Sequence, residues 1–211
     1  MEKLLSTPMT SIIGIPINTF KEVWQFNIFN IALGGIFLLE ILIFIITYSP
    51  KNRENRDKGT VYVVVVGFMG SIWINTYFLK GSFIFPKIKL PYESYIIGIL
   101  LMILGIIVRA IAVGTLRKNF TLEVNISSKQ KLITSGIYKY VRNPAYTGSI
   151  VSLMGIAISF RCVNSIIWSF ILLIVCYSYR IKVEERALKE RFGDEFLQYC
   201  IKVKKLIPFI Y

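Results

Sequence analysis

The sequence contains no histidine in its 211 residues. This absence excludes imidazole general bases, Ser-His and Cys-His nucleophile pairs, and metal sites built on histidine ligands. Any chemistry that the chain performs must therefore work without imidazole.

Cysteine and acidic residues are also scarce. The three cysteines, Cys162, Cys176 and Cys200, form no Cys-x-x-Cys pair, so we expect neither a disulfide framework nor a zinc site, and no metal is predicted. Twelve Asp and Glu face 25 Lys and Arg, a net charge of +13. In so apolar a chain this excess predicts basic loops facing anionic lipid headgroups, with no nucleic acid as partner.

Long apolar runs dominate what is present. Hydrophobic residues make up 55% of the chain and the mean hydropathy is +0.60. Both values predict an all-α integral membrane protein, one membrane domain over residues 1–211 with no separate soluble domain. About five transmembrane helices are expected, over residues 27–48, 60–79, 95–116, 146–160 and 164–179.

The last two runs are shorter than the first three. Sixteen helical residues span only about 24 Å, so residues 146–160 and 164–179 are predicted to form a short helical hairpin. From Arg180 the pattern becomes amphipathic and charged, which predicts that the last helix continues beyond the membrane as a cytoplasmic C-terminal helix. Gly193 is the expected stop signal.

The distribution of Lys and Arg predicts the orientation of the chain. With five spans and a cytoplasmic C-terminus, 18 of the 25 basic residues lie in inside segments and six lie outside, while Arg109 lies within a span. Cytoplasmic loops of membrane proteins are enriched in Lys and Arg, so the N-terminus is predicted outside. The polar segment 117–145 and the charged C-terminal helix would then share the cytoplasmic side.

Two charges interrupt the apolar runs at similar depths. Glu40 lies eight residues before the cytoplasmic end of the first span, and Arg109 lies seven before the corresponding end of the third. Intramembrane charges are costly and are usually paired or face a polar cavity. We hypothesise a Glu40–Arg109 pair that locks two helices or belongs to the active cavity, with snorkelling of Arg109 alone as the alternative.

The most informative segments are KLITSGIYKYVRNPAYTG, residues 131–148, and RIKVEERALKERFGDEFLQY, residues 180–199, followed by Leu206-Ile207-Pro208. Taken together they resemble the isoprenylcysteine carboxyl methyltransferase family, which shares this C-terminal pattern with phospholipid N-methyltransferases. The resemblance covers residues 117–208 and implies a site for S-adenosyl-L-methionine where the polar segment meets the last two helices.

The resemblance also implies a role for individual residues. Cofactor-binding positions would be Gln130, Lys131, Leu132, Ile133, Tyr138, Asn143, Pro144, Ala145, Tyr146 and Glu184, with Glu123 a weaker candidate. Arg180 would bind the carboxylate of the substrate, so that Arg180 and Glu184 form the catalytic pair. Read without the family, the same residues fit an i,i+4 ion pair, a helix-starting turn and interfacial tyrosines.

One departure from the family pattern concerns the chemistry. Asn143 stands where the family has histidine, and an amide can replace a hydrogen-bonding role but not a proton-accepting one. A carboxylate acceptor is already ionised at pH 7, whereas an ammonium must first lose a proton. The substitution therefore favours a carboxylate acceptor. Phe196, where the family more often has tyrosine, is conservative.

Several functions remain open at this point. The first is carboxyl O-methylation of an isoprenylcysteine-like or other lipophilic acid. The acceptor would be a lipophilic small molecule or a lipidated substrate, and the membrane lipids would surround the protein. The second is N- or S-methylation of an aminolipid or small thiol. A non-enzymatic membrane protein and a relative of the sterol reductases rank lower, since no span carries a row of polar residues and sterol reductases have more spans. The sequence does not indicate an oligomeric state.

Overall fold

The computed structural model describes residues 10–11, 14–15, 19–47, 59–80, 88–116 and 132–207. Within these ranges the regular structure is helical, with two isolated β-bridges, Lys89 to Cys162 and Val141 to Lys204. The helices are α1 (Val23–Thr47), α2 (Thr60–Lys80), α3 (Ser94–Leu116), α4 (Pro144–Ser159), α5 (Val163–Phe192) and α6 (Asp194–Lys202), with a short 3₁₀ helix at Gly136–Lys139 before α4.

The helices fall into two groups by length. Among the described residues, α1, α2, α3 and α5 are long and apolar enough to cross a membrane. Helix α4 is apolar but has 16 residues. Helix α5 has 30 residues and continues past the apolar run without a break, up to Gly193. Gly193 adopts a φ of +52° and separates α5 from α6, which confirms it as the stop signal.

Helices α3 and α4 pack with their backbones in contact. A Cβ placed on Gly105 would lie 2.4 Å from the Ser152 amide nitrogen and 2.5 Å from the Gly148 carbonyl oxygen. Two turns away, a Cβ on Gly98 would lie 2.6 Å from the amide nitrogen of Ser159. Small residues let membrane helices approach this closely. The packing fixes the height of α4 against α3, and with it the height of residues 136–143, which directly precede α4.

Helices α2 and α5 pack along a second seam. The Cβ of Cys176 lies 3.0 Å from the Cβ position of Gly67, and the Asn75 side-chain amide donates to the Ser169 hydroxyl at 3.2 Å. Asn75 and Ser169 are fully buried. An amide–hydroxyl bond of this kind links membrane helices, since neither group finds water in an apolar environment.

The predicted Glu40–Arg109 pair is confirmed. Arg109 Nη2 donates to Glu40 Oε2 at 2.7 Å, and Arg109 Nε lies 2.5 Å from Oε1. Arg109 Nη1 also donates to the carbonyl oxygen of Ala145 at 3.1 Å. One buried guanidinium therefore ties α1 and α3 to the first turn of α4, which satisfies the requirement that a charge in an apolar bundle be paired.

The α3–α4 packing predicts that Gly105→Ala will be destabilising, by about 1–3 kcal/mol, because the added methyl group meets backbone atoms that cannot move aside. The matched control is Gly114→Ala on the same helix, where an added Cβ meets nothing within 4 Å. Thermal unfolding of the purified protein in detergent measures both. Equal unfolding temperatures for the two variants would contradict the close approach of the helices.

Candidate active site

Three polar side chains meet between α4 and α5. The Tyr146 hydroxyl donates to Glu184 Oε1 at 2.6 Å, and Arg180 Nε donates to the Tyr146 oxygen and to Glu184 Oε1, each at 3.0 Å. Arg180 Nη2 lies 2.9 Å from the same carboxylate oxygen. Because Arg180 and Glu184 stand one turn apart on α5, both face Tyr146 at the start of α4. The structure thus brings together Arg180 and Glu184, the expected catalytic pair, and Tyr146, an expected cofactor-binding residue.

The two ends of this cluster differ in accessibility. The Arg180 side chain is 1% exposed and the Glu184 side chain is 23% exposed. On the buried side, Arg180 Nη1 donates to the hydroxyl of Thr60, the first residue of α2, which is itself 1% exposed. A buried guanidinium needs a carboxylate and further hydrogen-bond acceptors, and Glu184, Tyr146 and Thr60 are among them.

Asn143 lies just before α4, where its side chain and backbone make hydrogen bonds within the protein. Its side-chain amide nitrogen lies 3.4 Å from Glu185 Oε1 and 3.3 Å from the Lys205 carbonyl oxygen, and it donates toward both. Its backbone N–H donates to the same Lys205 carbonyl at 3.0 Å. These contacts use the amide as a hydrogen-bond donor. They fit the expectation that asparagine can fill this position without acting as a base.

Arg142 joins three segments of the site. Its Nε donates to Glu185 Oε1 at 2.9 Å, and its Nη1 donates to the carbonyl oxygens of Cys200, at 3.0 Å, and Val203. The Arg142 and Glu185 side chains are 9% and 14% exposed, so the pair is largely removed from water. Lys205 Nζ adds a second contact to Glu185, at 3.5 Å. Glu185 therefore holds the C-terminal part of the chain against the segment before α4.

Residues 203–207, called here the C-terminal segment, run along the start of α4. The backbone N–H of Arg142 donates to the Lys204 carbonyl at 2.8 Å, and the Thr147 hydroxyl donates to the Leu206 carbonyl at 2.8 Å. The Tyr199 hydroxyl donates to the Tyr138 carbonyl at 2.6 Å. Together these bonds hold residues 138–147 against α6 and the C-terminal segment.

Tyr138 and Tyr199 remain neutral at physiological pH. Burial raises the pKa of both phenols above its ordinary value, and for Tyr138 the nearby Glu184 carboxylate raises the pKa further. Tyr199 is therefore a dependable hydrogen-bond donor to the Tyr138 backbone.

The remaining predicted cofactor residues fall into two groups. Pro144 and Ala145 are buried in the first turn of α4, and Ile133 packs near Ala145 and Tyr138. Leu132 instead packs against Phe196, Tyr199 and Val203. The predicted positions Gln130 and Lys131, together with Glu123 and Pro208, lie outside the described residues.

Sequence reasoning missed the contributions of Thr60, Arg142 and Glu185. Thr60 begins a helix in the half of the chain that carries no motif. Glu185 has Lys189 at i+4, which favours a pair along the helix, yet its carboxylate contacts Arg142 and Lys205. One sequence feature could have indicated the contact. Arg142 directly precedes Asn143-Pro144 in the motif, and α5 carries two adjacent carboxylates, Glu184 and Glu185, that an arginine there could contact.

Comparisons with known proteins agree with this architecture. The Phospholipid methyltransferase family model matches residues 94–195. A probable protein-S-isoprenylcysteine O-methyltransferase of Oryza sativa subsp. indica is 31% identical over 140 residues, covering 63% of this chain and 70% of the relative. The protein-S-isoprenylcysteine O-methyltransferase of Dictyostelium discoideum is 30% identical over 199 residues, covering 87% and 78%.

A solved structure agrees in fold. The structure of the eukaryotic intramembrane Ras methyltransferase, isoprenylcysteine carboxyl methyltransferase, superposes with a TM-score of 0.61 at 25% identity, covering 88% of this chain and 68% of the other. The apolar helical bundle with its enclosed polar cluster is thus that of a membrane-embedded methyltransferase. The chain belongs to the protein-S-isoprenylcysteine O-methyltransferase family.

The contacts of Arg142 predict that Arg142→Ala will release the C-terminal segment, because Glu185 loses its closest cation and two carbonyl groups lose their donor. We expect a loss of about 3 kcal/mol in unfolding free energy and faster hydrogen exchange at residues 203–207. The matched control is Arg161→Ala at the α4–α5 turn, where the guanidinium lies 3.7 Å from the centre of the Tyr92 ring. Unchanged exchange in Arg142→Ala would refute the proposed anchoring.

Proposed function

We propose that the chain transfers the methyl group of S-adenosyl-L-methionine to the carboxylate of an isoprenylcysteine or a similar lipophilic acid, free or attached to a protein. The observation that carries the proposal is the cluster of Tyr146, Arg180 and Glu184, which places a guanidinium and a carboxylate side by side in an apolar bundle. Such a cluster can hold a cationic cofactor and an anionic acceptor next to each other.

The residues at the start of α4 fit the polar parts of the cofactor. The partly exposed Glu184 carboxylate can pair with an ammonium group or accept hydrogen bonds from ribose hydroxyls. Tyr138, Asn143, Pro144, Ala145 and Tyr146 would form the wall on one side, with Leu132 and Ile133 on another. When bound, the sulfonium group of S-adenosyl-L-methionine supplies an electrophilic methyl group.

Arg180 would hold the acceptor. A guanidinium offers a planar fork that matches a carboxylate, and in this structure the fork is already oriented by Tyr146, Glu184 and Thr60. In-line displacement at a methyl group depends mainly on the position and direction of approach of the nucleophile. Orientation of the carboxylate by Arg180, with exclusion of water by the bundle, is therefore the main contribution that the protein makes.

The absence of histidine fits this acceptor. A carboxylate is ionised at neutral pH and attacks without a general base. An aminolipid would arrive largely as an ammonium ion and would need a proton acceptor, a role for which Asn143 is unsuited. The apolar surfaces of α1, α2, α3 and α5 would admit the prenyl chain from the bilayer, while the polar cofactor arrives from the aqueous side.

The same proposal includes the orientation of the chain. We expect five crossings, with α4 and α5 as a hairpin, the N-terminus outside and α6 in the cytoplasm. The 18-to-6 distribution of basic residues supports this arrangement. It predicts that a cysteine introduced at exposed Lys202 in a cysteine-free background is labelled by an impermeant maleimide only after the cells are opened. Labelling of intact cells would place α6 outside and would contradict the proposed orientation.

Two conservative substitutions separate the proposed roles. Glu184→Gln should weaken binding of S-adenosylhomocysteine about tenfold, the loss expected when a charged hydrogen bond becomes neutral. Arg180→Lys should raise the KM for the acceptor more than it changes cofactor affinity, because lysine keeps the charge and loses the fork. Calorimetry measures the first effect, and methyl transfer to N-acetyl-S-farnesylcysteine measures the second.

The control for both variants is Glu190→Gln, an exposed position on the same helix and outside the cluster. It should leave both quantities unchanged. If wild-type protein binds neither S-adenosyl-L-methionine nor S-adenosylhomocysteine, the proposed function fails. If Glu184→Gln alters the acceptor KM and leaves cofactor affinity intact, the division of roles is wrong.

A further inference from the structure

Helix α2 runs antiparallel to α5 in a fixed register. Asn75 bonds to Ser169 near one end, and Gly70 faces Leu172 with 2.8 Å between the Gly70 Cβ position and a leucine methyl carbon. Farther along, Gly67 faces Cys176. Residues nearer the start of α2 thus contact residues nearer the end of α5. The contact closest to the start of α2 is that of Thr60 with Arg180.

Thr60 lies at the point where α2 begins. Gly59, with a φ of +77°, directs the chain into the helix, and the Thr60 side chain is 1% exposed. Its hydroxyl accepts from Arg180 Nη1, on the part of the guanidinium that does not face Glu184. Tyr146 and Glu184 contact Nε, and Glu184 also contacts Nη2. The guanidinium plane is therefore held by α4, α5 and α2 together.

The contact with Thr60 restricts rotation of the Arg180 guanidinium. Contacts to Tyr146 and Glu184 alone lie on one edge of the fork. A third contact from another helix fixes the plane of the fork, and a carboxylate is recognised through that plane. Removing the hydroxyl would leave a buried N–H of Arg180 without this acceptor, and a buried donor of that kind tends to turn toward another partner.

We propose that Thr60 is a positioning residue for the acceptor carboxylate, acting through Arg180. The inference rests on the proposed function, since it assigns Arg180 to the acceptor. It extends the site to α2, a part of the chain outside the matched family region of residues 94–195. Thr60 does not itself contact the acceptor; its hydroxyl sets the orientation that Arg180 presents.

The test compares Thr60→Val with Thr60→Ser in the full-length protein, using S-adenosyl-L-methionine and N-acetyl-S-farnesylcysteine. Valine keeps the shape and loses the hydroxyl, so we expect kcat/KM for the acceptor to fall by about 5- to 100-fold, the range expected when a buried charged donor loses one acceptor. The change should appear mainly in the acceptor KM. Serine should restore values near wild type, and the affinity for S-adenosylhomocysteine should stay within about twofold in both variants.

The control for a general effect on the α2–α5 seam is Ser169→Ala, which removes the hydroxyl that Asn75 contacts across the seam and leaves Arg180 untouched. It should lower the unfolding temperature and leave the acceptor KM unchanged. A double variant, Thr60→Val with Arg180→Lys, should be little worse than Arg180→Lys alone, because residues that act through one another have non-additive effects.

Three outcomes overturn the inference. The first is an acceptor KM for Thr60→Val equal to that of wild type, and the second is failure of Thr60→Ser to restore the activity. The third is an acceptor KM for Ser169→Ala raised as much as that for Thr60→Val, which would mean that loosening of the seam is the cause. An inactive wild-type protein would instead overturn the proposed function, and the inference with it, before any variant is compared.

Discussion

The structure depends on one constraint: a guanidinium removed from water must be paired with a carboxylate. Arg109, Arg142 and Arg180 are each largely buried, and each meets its own glutamate, Glu40, Glu185 and Glu184 respectively. Removing one partner of such a pair leaves an uncompensated charge, which costs several kcal/mol. The pairs therefore determine which elements of the bundle lie together at the end that contains the motif.

Each pair, together with the other groups that it contacts, connects different elements. Glu40–Arg109 joins α1 and α3 and reaches the first turn of α4 through the Ala145 carbonyl. Arg180–Glu184 adds Tyr146 of α4 and Thr60 of α2. The contacts of Arg142 with Glu185 bring in the C-terminal segment. Ala145 and Tyr146, at the start of α4, take part in the first two sets of contacts. Arg142, which makes the third set, lies just before α4. The motif residues therefore converge at the start of α4.

Much of this arrangement could be predicted from local sequence pattern. The apolar runs at residues 60–79 and 95–116 differ from α2 and α3 by a residue at most at either end, since a membrane helix is defined by length and apolarity. Arg180 and Glu184 could be paired from their i,i+4 spacing, and Glu40 with Arg109 from matching depth. These features depend on the chain near each residue or on the shared thickness of the bilayer.

Other features depend on tertiary contacts that a single sequence does not encode in its spacing. Glu185 has a cation at i+4, but Arg142 offers a buried fork and two adjacent carbonyl groups need its donors, so the distant partner is bound. Thr60 meets Arg180 because small residues on α2 set the α2–α5 register, and nothing around Thr60 indicates a site.

The central claim is that this site esterifies a carboxylate. It is tested most directly by incubating the purified protein with methyl-labelled S-adenosyl-L-methionine and N-acetyl-S-farnesylcysteine, then treating the product with alkali. A methyl ester releases its label as volatile methanol, whereas a methyl group transferred to the amide nitrogen of this acceptor would stay with it. Esterification predicts that the transferred label is volatile after alkali, and label that stays with the acceptor would contradict it.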